Sequence, residues 1–114
     1  MQQLYPVAFS TELEQVLHQA GLPSSDLRSN SGVHLFANSN DQANAYIGLE
    51  QFAEIALLRS LVVRDLARGR GLGREMVLAL EERAHHLGCS VLYLLTTSAE
   101  SFFRQLGYQT IERD

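Results

Sequence analysis

The chain has 114 residues, 46% of them hydrophobic and 19% charged, which places it with one-domain globular proteins and outside the disordered and fibrous classes. A net charge of −4 with no run of lysine and arginine argues against a nucleic-acid binder. The lone Cys89 excludes an internal disulfide and a cysteine-built metal site, and no apolar run is long enough to span a membrane. The N-terminus lacks a basic-then-apolar signal peptide, so a cytoplasmic location is expected.

Taken in order, Gln2 to Val7 alternates weakly and predicts a short strand. Thr11 and Glu14 stand at capping-box spacing, and Leu13, Val16, Leu17 and Ala20 line one helical face until Gly21 and Pro23 stop it. His18 lies off that face and reads as a solvated residue. Pro23 to Leu27 predicts a second short helix. Val33 to Ala37 reads as a strand, Asn38 to Asp41 as a hairpin turn, and Ala43 to Phe52 as the returning strand. No repeat or linker interrupts the chain, so residues 1–114 are taken as one domain.

The most informative stretch follows. Leu57-Leu58-Arg59-Ser60-Leu61-Val62-Val63 is an apolar, partly β-branched run that predicts a buried strand. A polar elbow, Arg64 to Ala67, leads into Arg68-Gly69-Arg70-Gly71-Leu72-Gly73. Met76, Val77, Leu80, Ala84 and Leu87 then fall on one helical face. The order is strand, glycine turn, helix.

Helix N-termini leave backbone N–H groups unpaired and carry a partial positive charge. Glycines let a ligand approach those groups closely, and Arg68 and Arg70 add cations, so a phosphate or pyrophosphate is the expected guest. The same glycines also fit a tight loop with no ligand. Neither common nucleotide motif is met, because no G-x-x-x-x-G-K-S/T occurs and Gly69, Gly71 and Gly73 recur at every second residue.

Further on, Gly88 caps the helix, and Cys89 beyond it reads as a small core residue. Val91 to Leu95 predicts a central strand, with Tyr93 as core or wall. Thr96, Thr97 and Ser98 end that strand and cap a helix over Ala99 to Leu106, which Gly107 stops. Tyr108 to Ile111 predicts one more strand, whose open edge suggests a homodimer.

Arg68 to Gly73 resembles the Q/R-x-x-G-x-G/A signature of GNAT N-acetyltransferases, with Arg68, Gly71 and Gly73 at its fixed positions. Phe102-Phe103-Arg104-Gln105-Leu106-Gly107-Tyr108 is similar to that family's F-Y-x-x-L-G-F segment. The resemblance implies an α/β GNAT fold, a mixed central sheet of about six strands flanked by about four helices. It implies acetyl-CoA as cofactor, bound by the backbone of Leu61, Val62 and Val63 and by the turn Arg68, Gly69, Arg70, Gly71, Leu72, Gly73 and Arg74. Thr96 falls where many members carry a cofactor-contacting asparagine, and Phe103 where they carry a tyrosine acid.

The implied activity is transfer of an acetyl group to the amine of a small, amino-acid-like acceptor. The alternative is a GNAT-fold module that holds CoA with little or no turnover, because a phenyl ring at Phe103 donates no proton. A third reading keeps an unrelated α/β domain with a structural glycine turn. Glu50 and Glu54 are the carboxylates expected near the acceptor and so the candidate bases, against ordinary loop carboxylates. Tyr108 is the candidate replacement acid, beside Tyr93. Arg59 is the candidate partner for an acceptor carboxylate, with Arg28 as a further contact. Within the family, Leu57–Val63 and Leu94–Phe103 look most like a subgroup found with arsenic-resistance genes, which implies an amino-acid-like arsenical as acceptor.

Overall fold

Alternating apolar residues build a five-stranded sheet in the simple order β1-β2-β3-β4-β5. The computed structural model describes residues 2–29, 32–96 and 98–111. The strands are β1 (Tyr5–Val7), β2 (Val33–Ala37), β3 (Ala45–Phe52), β4 (Ile55–Val63) and β5 (Val91–Leu94). Strands β1 to β4 run antiparallel. β5 lies parallel to β4, which requires a long crossover, and helix α2 (Leu72–His86) supplies it. Helix α1 (Thr11–Gln19) follows β1, and helix α3 (Glu100–Gln105) follows β5.

The two-residue period of the strands sends alternate side chains to opposite faces, and each face has its own core. Leu13 and Leu17 of α1 pack on Leu35, Ala37, Tyr46 and Val62. On the other face Met76, Val77 and Leu80 of α2, with Phe103 of α3, pack on Phe36, Ile47, Leu49 and Leu58. Cys89 is buried in that second core, as its surroundings in the sequence suggest.

Several expectations are corrected. The first helix is capped by Ser10, whose Oγ accepts from Leu13 N–H at 3.1 Å, and not by a Thr11–Glu14 box. Residues 23–27 form no helix: residues 25–29 are turns, with Leu27 N–H bonded to Ser24 O and Ser29 N–H to Asp26 O, and these i→i+3 bonds do not propagate. Tyr108 to Ile111 joins no ladder, and Tyr108 N–H instead bonds back to Phe103 O at 3.1 Å. The described residues therefore hold five strands and three α-helices, close to the expected architecture. β5 is an edge strand and not a central one, so Val91 and Tyr93 stand 42% and 43% exposed. Leu87 is the C-cap of α2, past its last turn, and is exposed. Thr97, part of the expected cap before α3, lies outside the described residues.

Candidate functional site

β4 and β5 pair for only four rungs, from Ile55 opposite Val91 to Leu58 opposite Leu94. β4 then continues to Val63 while β5 ends, so one edge of Arg59–Val63 is left without a strand partner. A cavity of about 210 Å³ fills the divergence, between the end of α1 and the start of α3. Its walls bring together Arg59, Leu61, Val62 and Val63 from β4, Thr96 from the end of β5, Phe103 from α3, and Arg68.

A bulge shapes the β4 wall. Tyr46 pairs with Val62 and Gly48 with Arg59, so Ser60 and Leu61 together oppose the single residue Ile47. Ser60 takes φ 61°, an uncommon conformation for a residue with a Cβ. Its side chain is buried, and Oγ has no hydrogen-bond partner among the described residues. The extra residue resets the alternation. Ala56 and Leu58 face α2 before the bulge, whereas Leu61 and Val63 face it afterwards.

Below the cavity the chain makes a short 3-10 turn, Asp65–Ala67, and then the glycine turn. Gly69 and Gly71 have φ 81° and 78°, and a Cβ at either would meet nothing within 4 Å, so the concavity faces open space. Gly71 is the N-cap of α2, and the first intrahelical bond is Glu75 N–H to Gly71 O at 3.1 Å. The N–H groups of Leu72, Gly73 and Arg74 precede it in the first turn, where no i−4 carbonyl serves them. Arg70 and Arg74 are exposed, while Arg68 Nε donates to Val63 O at 3.0 Å and its Nη1 pairs with Asp65. Gly73 packs under the Phe102 ring. Thr96 Oγ1 accepts from Ala99 N–H at 2.9 Å and so holds the approach to α3.

On the α1 face, the acid residues separate into two groups. Glu50 stands beside Arg59 and accepts from its Nη1 at 3.2 Å. Arg59 also donates to both carboxylate oxygens of Asp26, Nη1 to Oδ2 at 2.7 Å and Nη2 to Oδ1 at 2.8 Å. These carboxylates, Asp26 first, hold the guanidinium more firmly charged than an ordinary arginine, against the opposing effect of burial. Glu54 is instead at the tip of the β3–β4 hairpin, exposed, at the opposite end of β4 from the bulge.

Two further candidates are placed elsewhere. Tyr108 packs edge-on to Phe103, and its hydroxyl donates to Glu81 of α2 at 2.7 Å, outside the cavity wall. Burial, then the Glu81 carboxylate, pushes its phenol well above the usual tyrosine range. Arg28 pairs with Glu14 and stacks over Phe9, 5.0 Å from the ring centroid, also away from the cavity. Sequence reasoning missed Asp26, because nothing local marks one aspartate in a polar turn as the partner of a residue 33 positions later. It also missed the Ser60 bulge, although Gly48, opposite Arg59 at the edge of the bulge, is a glycine inside a strand pattern that could have announced it.

Among the described residues, no group of three or more His, Cys, Asp or Glu is placed to hold a metal, and no helix is long and apolar enough to cross a membrane. The model of the Acetyltransferase (GNAT) family matches residues 1–108. Over 63 residues, 54% of this chain, the sequence is 38% identical to amino-acid acetyltransferases of Pseudomonas aeruginosa and Pseudomonas paraeruginosa, and the match spans 15% of those proteins. Among solved structures, an acetyltransferase of Trypanosoma brucei superposes with a TM-score of 0.73 at 21% identity, covering 98% of this chain and 95% of that one. N-acetylglutamate synthase of Neisseria gonorrhoeae, complexed with coenzyme A and N-acetyl-glutamate, gives 0.74 at 20% identity, covering 98% of this chain and 30% of that one. At these identities the structural likeness is one of fold.

Proposed function

The chain belongs to the Acetyltransferase (GNAT) family, and from that premise we propose that it transfers an acetyl group from acetyl-CoA to the amine of a small, amino-acid-like acceptor. One observation carries the reading: β4 leaves β5 after Leu58 and presents an unpaired edge that ends at a glycine-lined helix N-terminus. A strand edge offers N–H and C=O groups to an extended amide chain, and the helix N-terminus offers N–H groups to a pyrophosphate.

The residues present fit such a ligand. The left-handed Gly69 and Gly71 turn the chain there, and nothing lies within 4 Å of where a Cβ would stand, so the cradle is open. Leu61, Val62 and Val63 supply the edge, Leu72, Gly73 and Arg74 the first-turn N–H groups, and Arg68 and Arg70 the nearby cations. Thr96 and Phe103 close the wall opposite. When bound, acetyl-CoA supplies the acyl group as an activated thioester.

This chain's own residues then have limited work. The amine must be neutral to attack, and Glu50, beside the bulge, takes its proton through water. Glu54 at the distant hairpin tip is left without a part. Neither Phe103, which carries no proton to give, nor Tyr108, whose hydroxyl is engaged by Glu81, is placed as an acid for a leaving thiolate, so that proton would come from solvent. The same pair of observations favours the second reading, a CoA-holding module with slow turnover. The exposed edge of β5 supports a homodimer, and a free buried Cys89 suits the cytoplasm, where thiols stay reduced.

The test is titration calorimetry with acetyl-CoA and CoA, followed by turnover with amino acids, amino-acid-like arsenicals and simple amines. Micromolar acetyl-CoA binding with turnover supports the enzyme. Binding with no turnover supports the second reading, and no binding at millimolar cofactor overturns both.

A further inference from the structure

Arg59 offers the planar fork that binds a carboxylate, and it is already filled from within the chain. Both oxygens of Asp26 accept from it, at 2.7 and 2.8 Å, in the geometry that the α-carboxylate of an amino acid would adopt. The two partners differ in freedom. The Arg59 side chain is 15% exposed and fixed on β4, whereas that of Asp26 is 45% exposed on the turn segment after α1. The beginning of that segment, at Leu22, lines the same cavity as Arg59. If Asp26 withdraws, Glu50 still holds Arg59 in place at 3.2 Å. The partly buried guanidinium is then left short of a bidentate anion, which is unfavourable until another carboxylate arrives.

We propose that Asp26 is a specificity-determining residue of the acceptor site, an internal stand-in that an acceptor's carboxylate must displace from Arg59. This deepens the proposed function and rests on it. The contact sets a threshold, because a ligand that needs Arg59 binds only the fraction of molecules in which Arg59 is released. An amine without a carboxylate meets no such barrier and gains nothing from Arg59. Leu22 and Leu27 keep the segment packed on α1 and Val62, so displacement moves the Asp26 side chain and leaves the backbone around it in place.

The experiment compares L-amino acids with their α-carboxamides as acceptors, in the full chain and in Asp26→Asn. Replacing the competing carboxylate by a weaker, neutral acceptor should raise the acid-to-amide ratio of kcat/KM about tenfold, the equivalent of one charge-assisted hydrogen bond, and do so through KM. In an Arg59→Gln background the same substitution should leave the ratio where it was, since the two residues act through one contact. A ratio unchanged in Asp26→Asn, or one that rises equally without Arg59, overturns the inference while amide turnover shows the acetyltransferase reading intact. Failure to acetylate either class, although acetyl-CoA binds, overturns both. Asp26→Ser, checked by thermal unfolding, gives the same readout if the asparagine variant is unstable.

Discussion

Leu58 faces Leu94 on the last rung between β4 and β5, and both line the cavity although Leu58 also belongs to the core. Structural core and cavity wall therefore meet in the same residue. Upstream of it a strand edge is satisfied by protein, and downstream the same edge has no strand partner.

The glycine turn gives the first test. Gly71 has φ 78° with open space beside it, whereas Gly73 sits in the helix with a Cβ position 3.5 Å from the Phe102 ring, an ordinary contact. Gly71→Val should weaken acetyl-CoA about tenfold or more by calorimetry, since the side chain enters the anion cradle. Gly73→Ala should raise the stability of the ligand-free protein by about 0.5 kcal/mol in denaturant unfolding. Affinity of Gly71→Val within a factor of about two of the parent would remove the cradle from the argument.

Glu50 and Glu54 make a matched pair, one beside the bulge and one at the hairpin tip. Glu50→Gln should lower kcat about a hundredfold, the usual scale for a lost general base, with acetyl-CoA affinity retained. Glu54→Gln should leave both constants as they are. Steady-state kinetics with the best acceptor decides between the two carboxylates.

Tyr108 is proposed to hold α3 to α2 and not to move protons. Tyr108→Phe should cost about 1 kcal/mol through the lost bond to Glu81, with kcat retained. The phenol is raised in the folded state, so its contribution is complete below the unfolded value near pH 10 and fades as pH climbs beyond it. Stability measured from pH 8 to 11 should therefore fall less steeply in the variant than in the parent.

Ala53 turns the β3–β4 hairpin at φ 55°, a conformation that disfavours a Cβ. Ala53→Gly relieves that strain and should raise stability by about 0.5–1 kcal/mol, net of the entropy glycine adds to the unfolded chain. Thermal unfolding checks it, and a loss of stability would show that the Gln51 bond to Ala53 O depends on the methyl-bearing turn.

The glycine turn, the strand before it and the helix after it were legible because each obeys a local rule, a two-residue period, a left-handed turn and a 3.6-residue face. Leu13 and Leu17, or Met76, Val77 and Leu80, announce their burial by spacing alone. What was not legible is non-local. The edge position of β5 depends on which strands pair, and its apolar run reads the same at an edge or a centre. Residues 23–27 carry the composition of a helix start, and only the unpropagated hydrogen bonds show otherwise. Asp26 joins Arg59 across 33 residues, a distance over which composition says nothing.

The Ser60 bulge makes the shape of β4 harder to change than its length. Removing Ser60 would restore strict alternation and leave Leu61 and Val63 toward α2 and Val62 toward Leu13 and Leu17, where they already stand. Straightening the bulge with every residue kept would instead exchange the faces of everything downstream. Val62 would turn toward α2, and Val63 would take its place. A single-codon deletion at Ser60 would keep the cavity wall, whereas a flattened strand of the present length would turn it inside out.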